Sequence, residues 1–335
     1  MNMSSLGDLA QSYVTRQRNA EIKQEINTLT DELSSGRISD IASALAGDFG
    51  QLASLERSLS SLDAFKVSSD EATFFTDSQQ LSLEGMASGL DSAVEAMLAA
   101  SNSSFPASIN SGSIEADSQF RAMVSSLNGT AGGRSLFAGD ATGDPALADA
   151  QDILDELSTL VTGMTDPDVI TATVDDWFNT PGGGYETFAY IGSTEEMQPF
   201  LLGDGRTYGP GITALDSGVR EALGSLAMGA LMMNGVVTND TFLRGQVMDI
   251  ATESSLTAKG KLLDTQSVVG TLQNQIETQQ ARIAAEHSAY SIARTELVAA
   301  DPYETATRLE NVQFQLEALY TSTAYASRMS LLDYI

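Results

Sequence analysis

Cysteine is absent from this 335-residue chain, which excludes disulfide bonds and thiolate metal sites and leaves the redox compartment open. Cations are scarce: 17 Lys and Arg stand against 45 Asp and Glu, for a net charge of −28. That balance argues against a nucleic-acid partner, because each neutralised phosphate needs a cation, and it disfavours an anionic membrane surface in the same way. Histidine occurs once, as His287 beside Glu286. No nucleophile or acid is placed by the sequence to work with it, so it reads as a surface or seam residue. Long apolar runs are also lacking. The longest, residues 226–237, is broken by Gly229, Asn234 and Gly235 and falls short of a bilayer span, so no membrane insertion is expected. The first twenty residues carry no basic region, apolar core and small-residue cleavage site, so any export is expected to use a route that reads no cleaved signal.

What the chain does have is heptad order. Every seventh residue from Leu262 is apolar, through Val269, Ile276, Ile283 and Tyr290 to Leu297. A slightly under-wound helix holds such a stripe on one face, which is the signature of a coiled coil. The companion positions are mixed, with Leu272 and Ala293 apolar but Thr265, Gln279 and Glu286 polar. The seam therefore needs partner helices. A helix over residues 256–297 would be roughly 60 Å long at about 1.5 Å per residue, so an elongated molecule is expected.

The rest of the chain reads as more helices around a different centre. Residues 6–34 carry Leu6, Leu9 and Tyr13, then Ile22, Ile26, Leu29 and Leu33, at spacings of 3 and 4, with Gly36 placed as the C-terminal cap. A Gly-rich connector follows to Gly50. Leu52, Leu55, Leu59 and Leu62, then Leu83, Met86, Leu90, Val94 and Met97, predict one long helix to about Ala100, broken by residues 101–112 with Pro106 inside. A shorter helix is expected over 113–127, and a strand or tight hairpin arm over 134–140. The middle has helices at 146–162 and 168–178, a β-like section at 185–191 opened by Gly182-Gly183-Gly184, and a hairpin over 200–208. Residues 217–233 return to helix. Asp301-Pro302-Tyr303-Glu304 marks a helix start: Asp301 as cap, Pro302 at the first position, Glu304 completing a capping box. The last helix, to about Met329, has Leu309, Val312, Leu316, Leu319, Thr323 and Ala326 on one stripe.

These patterns predict a mainly α fold, an elongated long-helix coiled-coil bundle formed by the N- and C-terminal segments, with a small α+β central insertion. The expected division is 1–34 with 301–335 as a terminal helical domain, 35–51 as connector, 52–140 with 216–300 as a helical body, and 141–215 as an outer insertion. The simplest packing is antiparallel, with the two ends meeting each other, but the end stripes are narrow and such a pair would be marginal alone. They are therefore expected to be completed by other subunits, through Leu6, Leu9, Tyr13, Ile22, Ile26, Leu29, Leu33, Leu309, Val312, Leu316, Leu319, Leu331 and Leu332. No catalytic, cofactor or metal site is expected. The Gly-rich turns lack the strand-to-helix setting of a phosphate loop, and Asp166, Asp168, Asp175 and Asp176 lack calcium-loop spacing.

Four local strings carry a resemblance. Leu33-Ser34-Ser35-Gly36-Arg37 is like the "LSSGxR" that follows the first helix in the flagellin superfamily, and Gly133 to Gly139 is like its "GxYLFAG" turn. Asp301 to Thr305 is like its "DxxEA" helix start, and Ser330 to Ile335 like a "SLLDYL" ending. The likeness covers about 1–140 and 216–335. The chain departs from the superfamily's acidic "SPSDDP" stretch, with only Ile38-Ser39-Asp40-Ile41, and from its opening "ISTSQ". The chain thus resembles the flagellin superfamily, on its hook-associated side. The resemblance implies a structural, non-enzymatic part of the extracellular flagellum at the hook-filament junction. It implies a homo-oligomer that contacts a neighbouring hook-associated protein and flagellin. It also implies a transient cytoplasmic stage, with an export chaperone on the C-terminal helix and unfolded passage through the flagellar type III system. A filament subunit is the near alternative, and a soluble coiled-coil adaptor or chaperone is the alternative of another class.

Overall fold

The structure, a computed structural model, describes residues 4–203, 205–209, 211–233 and 240–332, and the side chains of these apart from 4–9, 11, 206 and 326–332. Long helices dominate: α1 (Ser4–Ser35), α3 (Gly50–Ser101), α8 (Thr241–Val298) and α9 (Pro302–Leu332). Shorter ones are α2 (Ile41–Ala44), α4 (Pro106–Leu127), α5 (Ala150–Val161), α6 (Pro167–Asn179) and α7 (Ser217–Leu231). Two small antiparallel hairpins accompany them, β1 (Thr130–Ala131) with β2 (Arg134–Ser135), and β3 (Phe200–Gly203) with β4 (Arg206–Tyr208). The mainly α class holds. Asp204 within the expected 200–208 hairpin, Asn234 and Gly235 of the longest apolar run, and residues 333–335 lie outside the described residues.

The chain divides into two compact units, one of Met1–Asp63 with Ala285–Ile335 and one of Ala64–Ala284. In the second, α3 and α8 run antiparallel, as Lys259 with Asp91 (2.6 Å), Gln273 with Asp77 (2.7 Å) and Gln280 with Thr73 (3.0 Å) establish by their opposed numbering. Leu262, Val269 and Ile276 of the heptad stripe are buried, and so are the polar companions Thr265 and Gln279. Facing them, α3 buries Ser69, Thr76 and Gln79 beside Leu83, Leu90 and Met97. The seam tolerates these polar groups where they find local partners, as Thr76 does by donating to the Ala72 carbonyl. The stripe fades beyond Ile283, and Tyr290 is exposed.

Four boundaries differ from the expected ones, each for a local reason. Helix α4 starts at Pro106, seven residues early, because proline at the first helical position needs no N–H partner and starts the helix instead of breaking it. Helix α5 starts at Ala150 under the Asp149 cap, because residues 146–148 bond instead to the backbone of 189–191. Residues 136–140 are not a strand. Leu136, Phe137 and Ala138 form a buried loop whose peptide groups bond to Gly129, Ala214 and Ser193 in turn. The segment from Tyr185 to Ala189 is a single wide helical turn rather than β structure, with the Tyr190 N–H on the Tyr185 carbonyl at 2.7 Å. It buries Tyr185, Ala189 and Tyr190 at spacings of 4 and 5, where a strand would bury every second residue.

Candidate functional site

The terminal helices form the candidate site, and their geometry starts from how each one ends. Helix α1 stops at Gly36, whose φ of +68° closes the turn and whose N–H bonds to the Glu32 carbonyl at 2.8 Å. The chain then passes through a short antiparallel bridge, Arg37 opposite Ala299, with Ile38 N–H on the Val298 carbonyl and Ala300 N–H on the Gly36 carbonyl, both at 3.0 Å. This bridge fixes the start of α9 beside the end of α1. Asp301 caps α9 by accepting from the N–H groups of Tyr303 (2.8 Å) and Glu304 (3.1 Å), with Pro302 at the first helical position. Glu304 makes no return bond to the Asp301 N–H among the described residues, so the cap is one-sided.

The two helices run antiparallel over a small apolar seam. Ile22, Leu29 and Val312 are buried, and Ile26, Leu309, Leu316 and Leu319 pack against them. Each fully buried side chain of this kind contributes about 1.5–3 kcal/mol. The seam is therefore thin for two helices of 32 and 31 residues. Polar contacts extend it. The Tyr320 phenol lies against Asn19 and Lys23 of α1, which hold its pKa below the ordinary phenol value.

At the junction of α1, α2 and α9 lies a cleft of about 370 Å³ lined by Glu25, Glu32, Asp40, Asp301 and Glu304, with Arg308 the cation among them. Three of these carboxylates serve the backbone. Glu32 is buried and accepts from Ser39 N–H at 2.8 Å, Asp40 accepts from Ser43 N–H at 3.0 Å, and Asp301 caps α9. His287 Nε2 stands 3.3 Å from Asp63 Oδ1 on an exposed surface.

The seven residues Ile22, Ile26, Leu29, Leu309, Val312, Leu316 and Leu319 expected at a subunit boundary are thus brought together within one chain. Tyr13 and Leu33 are exposed, while the side chains of Leu6, Leu9, Leu331 and Leu332 lie outside the described ones. The 3-and-4 stripe misses Tyr303, Phe314 and Tyr325, which are 85%, 71% and 66% exposed. The signal was an 11-residue period, which returns to the same helix face after three turns.

Residues 251–335, from α8 through α9, match the family described as the bacterial flagellin C-terminal helical region. Two solved structures share the fold over a longer stretch. A Vibrio parahaemolyticus structure assigned as a flagellar hook-associated protein superposes with a TM-score of 0.55 at 16% identity, covering 75% of this chain and 99% of the other. Bacillus cereus FlgL superposes with a TM-score of 0.51 at 15% identity, covering 71% of this chain and 96% of the other. A sequence comparison with curated proteins found no match. The matched segment includes every α9 residue of the seam and the Asp301 cap.

Proposed function

We propose that this flagellin-type chain is a structural component of the bacterial flagellum, a hook-filament junction protein that assembles through its terminal helices. The carrying observation is the pairing of the flagellin-type C-terminal helix with the N-terminal helix in a fold shared, over most of its length, with hook-associated structures. Its role is mechanical rather than catalytic. Copies of the chain form the junction and contact a neighbouring hook-associated protein and flagellin. Because the seven seam residues are occupied within the chain, the face left for neighbours is the exposed one of α9, with Tyr303, Phe314 and Tyr325, together with Tyr13 of α1. Aromatic side chains with a polar edge suit such contacts. The proposed division keeps 1–34 with 301–335 as the assembling part, 35–51 as connector, 52–140 with 216–300 as the body, and 141–215 as the outermost insertion.

The thin α1–α9 seam also suits export. A pair held by few buried side chains opens readily, so the chain is carried unfolded through the type III apparatus, with a cytoplasmic chaperone on the C-terminal helix, and orders on assembly. A strain whose chain lacks residues 303–335 tests the reading: residues 64–284 keep their fold, and the truncated chain is missing from isolated flagella. Normal motility with the truncated chain would sink it. A filament subunit remains the second reading, favoured by the flagellin match itself.

A further inference from the structure

Asn128 caps the end of α4 and Gly129 follows it, and the fold leaves little choice about either residue. The Asn128 amide clamps the buried Leu147 from both sides: its Nδ2 donates to the Leu147 carbonyl at 3.0 Å and its Oδ1 accepts from the Leu147 N–H at 2.8 Å. An ionised carboxylate cannot replace it, because it only accepts. A Cβ on Gly129 would lie 2.8 Å from the Ser126 carbonyl oxygen, so a larger residue there forces a shift. Gly129 also accepts from the Leu136 N–H at 3.1 Å, at the start of the buried loop of Leu136, Phe137 and Ala138.

This pair carries a chemical liability. When glycine follows asparagine, no Cβ hinders the next backbone nitrogen from reaching the side-chain carbonyl carbon. The Gly129 nitrogen bonds to Asn128 Cγ and gives up its proton, the bond from Cγ to Nδ2 breaks, and ammonia leaves with that proton. Water then opens the five-membered imide at one of its two carbonyls, giving aspartate or isoaspartate. In the folded chain the attack is blocked. Asn128 has a ψ of 7°, which turns the Gly129 nitrogen away from its side chain. The Gly129 N–H is held by the Ser126 carbonyl at 3.0 Å, and both ends of the Asn128 amide are tied to Leu147.

We propose that Asn128 is a deamidation site gated by folding, protected in the folded chain and reactive in the unfolded one, and that a reacted chain folds with a weakened central loop. Aspartate sets a carboxylate against the Leu147 carbonyl where a donor stood, and isoaspartate adds a backbone carbon just before Gly129. Ammonia is lost to solvent, so the change is a lasting record of time spent unfolded. The inference goes beyond the junction role and stands or falls without it.

The test is peptide mapping by mass spectrometry of the full chain, incubated at mildly alkaline pH either folded or in guanidinium chloride. Asn234-Gly235, the other Asn-Gly pair in the sequence, is the reference in the denatured sample. Both pairs should react at similar rates there, while Asn128 in the folded chain reacts at least about tenfold more slowly, because reaction waits for local opening. A smaller difference between folded and denatured Asn128 would overturn the gate. The clamp is tested by Asn128→Asp, which should lower the melting temperature by about 2–10 °C. An unchanged melting temperature would overturn that part. The wild-type rate comparison holds even where the variant does not fold.

Discussion

Single residues hold the central loop of the Ala64–Ala284 unit. Gly139 has a φ of +63°, and a Cβ there would lie 2.5 Å from the carbonyl oxygens of both Ser193 and Glu195. Gly139→Ala should therefore destabilise that unit by at least about 2 kcal/mol, read as a lower urea midpoint. Tyr185 is fully buried and donates to the Ala214 carbonyl at 2.6 Å. Burial disfavours its phenolate and drives its pKa far up, only partly offset by Arg220. The unfolded phenol ionises near pH 10, so this contribution is complete below about pH 10 and is lost as pH rises above it, at about 1.4 kcal/mol per pH unit. Tyr185→Phe should remove that alkaline slope and cost about 1–3 kcal/mol at neutral pH, because the Ala214 carbonyl loses its donor. Urea melts of both proteins from pH 8 to 11 check the two effects together. Neither role is visible in the sequence. The Gly133 to Gly139 string marks a special loop, but its partners near Ser193 and Ala214 are more than 50 residues away along the chain.

At the scale of elements, the terminal pair is the weak joint. Leu29→Ala should cost about 2–5 kcal/mol and speed amide exchange in residues 12–33 and 303–320, with protection in residues 64–284 unchanged. Equal loss of protection in both units would show that they unfold together. Asp301→Ala removes the acceptor of two N–H groups and should fray the first turn of α9 at a cost of about 0.5–2 kcal/mol, read as faster exchange at Tyr303 and Glu304. Most helices were legible because apolar residues recur at 3 and 4 between clear stops, as Ile22, Ile26 and Leu29 do before Gly36. That the two end stripes meet antiparallel was legible too, and the packing of Ile22 and Leu29 against Val312 agrees with it. Which residues of the pair are left for other subunits was not, because a stripe states that a face is buried and does not say how many partners cover it. The wide turn at Tyr185 was illegible for another reason: its aromatic and β-branched content suits a strand, and a tertiary contact through the Tyr185 hydroxyl decides otherwise.

For the whole molecule, the strings Leu33 to Arg37, Gly133 to Gly139 and Asp301 to Thr305 carry the resemblance to the flagellin superfamily, and the match over residues 251–335 agrees with it, while the two solved structures share the fold. Those strings are legible because each sits where backbone geometry is special: a left-handed cap at Gly36, a left-handed loop residue at Gly139, and a side-chain cap at Asp301. The net charge of −28 bears on the proposed assembly. Like-charged copies repel over roughly one Debye length, so assembly of the purified chain should strengthen with salt, a trend that light scattering between about 0.01 and 0.15 M would check. The central claim concerns place. The most direct measurement is immunogold labelling of intact flagella with antibody against residues 141–215. A single band of label between hook and filament is the predicted result, whereas label along the whole filament, or none on the flagellum, would contradict the junction role.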